Sequence, residues 1–167
     1  VIRAEGTQQF EVATGDECPL DGTVESRAVE VQGALNGLLQ IRRLMNAHLD
    51  APEAVPAEWE RQQPVRAVAL ILEAAGVPPS SVDTNGGRIT TGYRVHRPEP
   101  GGTGPVRVEW VGPHGSGAVH EQQQKLRRCA EALGDRGWPV LEYRGARRQR
   151  YLEAEPAAAV TGGESRP

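Results

Sequence analysis

The chain has 167 residues, with 19 Lys and Arg against 22 Asp and Glu, for a formal charge of −3. Leu, Ile, Val and Phe account for about 20% of it and Gly with Pro for about another 20%, which suits one ordinary domain with tails. No apolar run approaches the ~18 residues a membrane-spanning helix needs, residues 1–30 lack the basic start and apolar core of a secretory signal, and Cys18 and Cys129 make no disulfide framework, so reduced thiols in a cytoplasm are expected.

Charge is unevenly spread. Residues 1–60 carry 4 basic and 11 acidic side chains, whereas residues 125–150 carry 8 and 3. The chain is therefore dipolar, which bears on partners more than on fold. Residues 1–23 are polar and patternless. From there Val24, Ala28, Val31, Leu35, Leu38, Arg42, Met45 and Leu49 recur at steps of four and three, which predicts an amphipathic helix over roughly 25–49. Gly33, Asn36 and Gly37 weaken it, each Gly by ~1 kcal/mol relative to Ala, so a break near Gly37 stays open. Residues 1–50 read as an acidic N-terminal extension whose helix is loosely attached. Met45 as a gene start would make residues 1–44 an upstream extension, and deleting them is expected to leave the remainder nearly as stable. Residues 51–63, APEAVPAEWERQQ, read as a Pro-punctuated linker.

Pro64 suits the first turn of a helix, where its missing N–H is no loss. Val65, Val68, Ile71, Leu72 and Ala75 give that helix an apolar stripe, and Gly76 caps it. Arg88–Arg97 alternates with a period of two and predicts a strand; Val106–Val111 predicts its hairpin partner. A second helix spans Ala118–Asp135, with Gly137 as cap and Trp138 folding back over it. Trp138–Arg144 and Arg148–Ala154 form a second hairpin around a tight turn. The domain is thus 64–155, and 156–167 reads as a disordered tail. Two αββ units in tandem predict an α+β fold, an antiparallel four-stranded sheet with both helices on one face.

Few residues carry a recognisable chemistry. His114, His120 and Cys129 match no metal-ligand spacing, so no metal is expected. Cys129 sits at core spacing with Leu126 and Leu133, where a thiol acts as a small apolar group. No catalytic residue and no cofactor is expected, and a non-enzymatic binding module is the reading. Its best lead is the basic hairpin. Arg144, Arg147, Arg148 and Arg150 ring the turn between Tyr143 and Tyr151, with Lys125 and Arg128 on the preceding helix. Guanidinium groups grip phosphates and tyrosines stack on bases, so DNA or RNA is the first partner class. The plain alternative is that these arginines protect an edge strand from sheet-to-sheet pairing. A protein partner or self-association, through the helical stripe or an edge strand, is the other reading; no membrane partner is expected.

One stretch resembles a known family. Val106–Val111, the loop Gly112-Pro113-His114-Gly115-Ser116-Gly117 and the helix from Ala118 resemble the acyl-CoA-binding segment of GNAT-type acetyltransferases, with Gly115 and Gly117 as the last two loop glycines. The resemblance implies a pyrophosphate held on loop amides. Gly112 stands where that family has Gln or Arg, Gln122–Gln124 stand where its helix is apolar, and a hairpin follows where it has a helix. In composition and unit size the chain also resembles small proteins of actinobacteria and their phages, a likeness that implies no function.

Overall fold

Two helices that end in the same way organise the molecule. The computed structural model describes residues 10–99 and 101–158. Helix α3 follows α1 (Val24–Met45) and α2 (Glu58–Gln62) and runs Pro64–Ala74; helix α4 runs Ala118–Asp135. At the end of α3, Val77 N–H donates to the Leu72 carbonyl (3.1 Å) and Gly76 N–H to that of Glu73 (3.0 Å). At the end of α4, Trp138 N–H donates to Leu133 (2.9 Å) and Gly137 N–H to Gly134 (3.2 Å). Each is a Schellman cap, in which a left-handed glycine turns the chain so that the next apolar residue folds back. Gly137 has φ +83°, and an added Cβ there would lie 2.4 Å from the Ala54 carbonyl oxygen.

Each helix then feeds strands. After α3 come β1 (Ser81–Val82), β2 (Arg88–Thr90), β3 (Gly92–His96) and β4 (Val106–Val111); after α4 come β5 (Val140–Arg144) and β6 (Arg150–Ala154). The main sheet is antiparallel, in the order β3-β4-β6-β5, and β1 and β2 pair separately. The single strand expected over Arg88–Arg97 is therefore two, interrupted at Thr91, because Gly92 lies close beneath Pro78 and Pro79. The seam between the two units is β4 against β6, with Val106 opposite Ala154 and Val108 opposite Leu152. Strand β6 thus inserts between β4 and β5, the two strands that α4 connects, a split β-α-β arrangement.

Alternation sets the two faces of the sheet. Tyr93, Val95, Val106, Val108, Trp110, Leu152 and Ala154 are buried beneath α3 and α4, where they meet Leu72, Leu126, Cys129, Leu133 and Trp138. Leu72, Leu133 and Trp138 are fully buried, so the α+β class and the two-helix layer stand as the periodicities placed them.

The front of the chain is more tightly held than its composition implies. Helix α1 runs unbroken through Gly33 and Gly37. Its stripe is buried at Val31, Leu35, Leu38 and Arg42, while Val24 and Met45 at the ends are exposed. Arg42, the one charged member, is fully buried against Glu60 of α2, with Nε–Oε2 2.8 Å and Nη2–Oε1 2.7 Å. Its Nη1 donates to the carbonyls of Glu53 (2.8 Å) and Arg136 (2.7 Å), and Glu60 also accepts the Ala57 N–H (2.7 Å). This pair fixes α1 to the end of α4, and it runs through the segment read as a linker. The loose attachment and the neutral deletion of residues 1–44 give way to it: removing Arg42 strands a buried carboxylate.

Before α1, residues 10–17 run beside β3. Val95 N–H donates to the Thr14 carbonyl (2.7 Å), and the Tyr93 hydroxyl, which has the Ala69 carbonyl at 3.2 Å, lies 2.8 Å from that of Ala13. Asp16 bridges Arg88 (2.6 Å) and Arg94 (3.0 Å). The segment read as polar and patternless therefore covers an outer strand; residues 1–9 lie outside the described range. So does most of the expected tail, from 159 on, although Ala157 N–H donates to the Gly137 carbonyl (2.9 Å). Among the described residues no helix is long and apolar enough to cross a membrane.

Candidate nucleic-acid interface

The β5–β6 hairpin pairs Tyr143 with Tyr151 and Arg144 with Arg150 across its strands. By alternation Tyr143, Tyr151, Leu141 and Glu153 lie on the face away from the helices, and Glu142, Arg144 and Arg150 on the helix side. Tyr143 and Tyr151 stack with ring centroids 5.6 Å apart and planes 14° from parallel. The Arg107 guanidinium of β4 sits 4.0 Å over the Tyr151 ring. Arg107, Tyr151 and Tyr143 therefore form one stack across three neighbouring strands, ending at the sheet edge, where Tyr143 is exposed. Beside it Leu141 is 66% exposed.

The turn that joins the strands is held open in an unusual backbone state. Gly145 N–H donates to the Gln149 carbonyl (2.7 Å), and Gln149 N–H to that of Ala146 (3.2 Å). Between them Arg147 (φ 58°) and Arg148 (φ 63°) both adopt the left-handed conformation. For a residue with a Cβ that costs about 1–2 kcal/mol. Such strain persists only where the surroundings fix it, and it is concentrated at working sites.

The structure separates the eight basic and aromatic candidates. Arg144, Arg147 and Arg148 are exposed and, among the described residues, enter no ion pair. Arg150 is bound locally, its guanidinium on Glu142 (2.9 Å) and its N–H on Gln122 Oε1 (2.9 Å). Arg128 donates to the Ala75 carbonyl (2.8 Å), which ties α4 to the end of α3, and Lys125 lies 5.7 Å from the Trp110 ring. Neither joins the hairpin arginines through a described contact. Tyr143 and Tyr151, read as flanking the turn, pair and stack across the hairpin.

What the spacing did not reveal is that the turn faces the glycine loop. A groove of about 480 Å³ lies between them, with Gly112–Gly117 and the first turn of α4 on one wall and Arg147, Arg148 and Gln149 on the other. Two arginines and two histidines, His114 and His120, line it, and no Asp or Glu does. Helix α4 opens at Gly117 (φ 79°), which has no side chain to cap the first amides; such amides and the helix dipole favour an anion. Glu121, also in the first turn, is absent from the lining. Trp110 is part of it, 3% exposed, and its Nε1–H has no acceptor among the described residues. Read separately, the loop and the hairpin gave no hint of this; only the insertion of β6 beside β4 brings them together.

Burial pushes the Cys129 thiol up to about 12, with Arg128 and Lys125 opposing, so it stays protonated. Among the described residues no three His, Cys, Asp or Glu side chains gather as a metal site. Fold and site together define a two-layer α+β protein with an aromatic stack at one sheet edge and an acid-free groove beside it. Comparison with protein-family models, curated proteins and solved structures gives no match.

Proposed function

We propose that this protein is a non-enzymatic module that binds single-stranded nucleic acid at the outer end of the β5–β6 hairpin. Arg147 and Arg148 contact phosphates, and a base stacks on the outward face of Tyr143. The observation that carries the reading is the stack of Arg107, Tyr151 and Tyr143, which ends at the sheet edge on the hairpin whose turn carries Arg147 and Arg148, two arginines that enter no ion pair among the described residues. A π-face accepts any base, and guanidinium groups match phosphate oxygens, so the binding is sequence-tolerant. The reading includes a cytoplasmic setting, in keeping with two unpaired thiols.

Anisotropy titrations of a labelled oligonucleotide across a salt series test it. Each phosphate contact to a single strand contributes ~0.7 to the slope of log affinity against log salt, so Arg147→Ala/Arg148→Ala flattens the slope by ~1–2. Tyr143→Ala weakens binding by about 1–3 kcal/mol with the slope unchanged. Arg150→Ala, whose charge Glu142 already meets, changes the slope least. No binding by the unmutated protein at low salt sinks the reading. Aggregation of the double variant without prior binding supports edge protection instead.

A further inference from the structure

We propose that β5 pairs antiparallel with β5 of a second copy of this chain, in the register that sets Tyr143 opposite itself and Glu142 opposite Arg144. The pairing goes beyond strand binding and does not rest on it. It starts from the two edges of the main sheet. The β3 edge is covered: Val95 N–H donates to the Thr14 carbonyl (2.7 Å), Tyr93 N–H to that of Pro78 (2.9 Å) and Ser80 N–H to that of Tyr93 (2.9 Å). The β5 edge is open, and among the described residues no backbone group meets its outer side. Leu141 and Tyr143 are exposed along it, and it has no proline, bulge or lysine to blunt pairing.

Backbone phase and charge select the register. Gly145 N–H donates to Gln149 and Glu155 N–H to Pro139, so by alternation Leu141 and Tyr143 bond to β6, and the N–H and C=O of Glu142 and Arg144 point outward. A twofold axis makes the edge its own partner. Centred on Glu142 or on Arg144, it sets like charges directly opposite, which is destabilising. Centred on Leu141, it runs Arg144 past the end of the other strand. Centred on Tyr143, it lets each Glu142 exchange backbone hydrogen bonds and an ion pair with Arg144 of the other copy. Arg144 needs that carboxylate. Within its own hairpin it stands opposite Arg150, whose guanidinium Glu142 already meets at 2.9 Å, and it enters no ion pair among the described residues. On the outer face the same register continues the stack of Arg107, Tyr151 and Tyr143 through the axis into its equivalent. A base and a second Tyr143 compete for that ring face, so a strand binds the separated copies.

Sedimentation velocity of the full chain across a concentration series tests the pairing, since a contact along one short strand buries little area and makes a weak dimer. The unmutated chain is expected to dimerise by ~1 mM, and a monomer throughout overturns the proposal. Glu142→Arg and Arg144→Glu each put like charges opposite and should weaken the dimer about tenfold. An equimolar mixture of the two, in which every arginine meets a glutamate, should restore it. Both positions are exposed, so neither change threatens the fold. Hydrogen exchange locates the contact: the Glu142 and Arg144 amides gain protection as concentration rises, whereas that of Tyr143 is protected throughout. A dimer indifferent to both variants, or one that leaves those two amides unprotected, overturns the proposal. Dimerisation without oligonucleotide binding keeps the pairing and removes strand binding. A chain that binds oligonucleotide and stays monomeric without it does the reverse.

Discussion

Arg42 shows how much one side chain decides. A buried ion pair gains little over apolar residues of the same volume, but breaking it leaves an uncompensated charge. Arg42→Ala and Glu60→Ala are each expected to cost about 3–5 kcal/mol in urea unfolding, and Arg42→Met/Glu60→Leu far less than their sum. Equal additive losses would mean the two groups do not interact. Cys129 makes the opposite case, a reactive group silenced by its surroundings. Its protonated thiol contributes fully below pH 9, the ordinary thiol value, and that contribution is lost as pH rises toward the folded value of about 12. In native buffer a maleimide should label the exposed Cys18 alone, and Cys129 only after unfolding. Rapid labelling of both would show that α4 opens locally.

At the scale of elements, periodicity was a sound guide wherever one face of an element meets the core. The stripe of α3, the alternation of β3 and β4, and the paired caps at Gly76 and Gly137 were all legible because each is a short-range pattern with a single physical cause. Residues 51–63 were not. Their prolines and charges read as solvent-exposed chain, yet Glu60 is buried because a partner 18 residues away neutralises it. Long-range charge pairing leaves no periodic trace. The same limit applied to the groove, whose walls lie on either side of α4 in sequence. The glycines of α1 were also misleading. Helix propensity counts Gly33 and Gly37 as weak points and leaves a break near Gly37 open, but packing at Leu35 and Leu38 holds the helix unbroken. An added Cβ at either glycine meets nothing within 4 Å. Gly33→Ala and Gly37→Ala should therefore each raise stability by about 0.5–1 kcal/mol, read as a higher urea midpoint. A fall would mean that the added methyl groups meet neighbours within the fold and α1 is packed there.

The molecule as a whole joins an acidic front to a basic end. The front's charge is partly internal: Asp16 pins residues 10–17 to Arg88 and Arg94. Burial raises its pKa, but the hydrogen bonds and charges of those arginines outweigh it and hold the carboxyl below the ordinary 3.8. A depressed folded pKa stabilises above the unfolded value and is lost as pH falls through the folded one. Asp16→Asn should lower the melting temperature at about pH 6, and the difference should shrink as pH falls below the ordinary carboxylate value and through the lowered folded one. A constant difference across that range would assign the loss to packing.

The strand order has a consequence for the route by which the chain folds. Both hairpins close locally, but β4 meets β6 only after α4 has folded back and β5 has turned, so this seam carries most of the loop-closure entropy. The slow step is then the docking of two preformed halves, with α4, β4 and β6 as its nucleus. In stopped-flow experiments Leu152→Ala is expected to slow refolding, whereas Val95→Ala, on the outer strand β3, mainly speeds unfolding. Should both act on the unfolding arm alone, the halves meet after the barrier. In that case either half, prepared by itself, would hold its helix and hairpin only fleetingly.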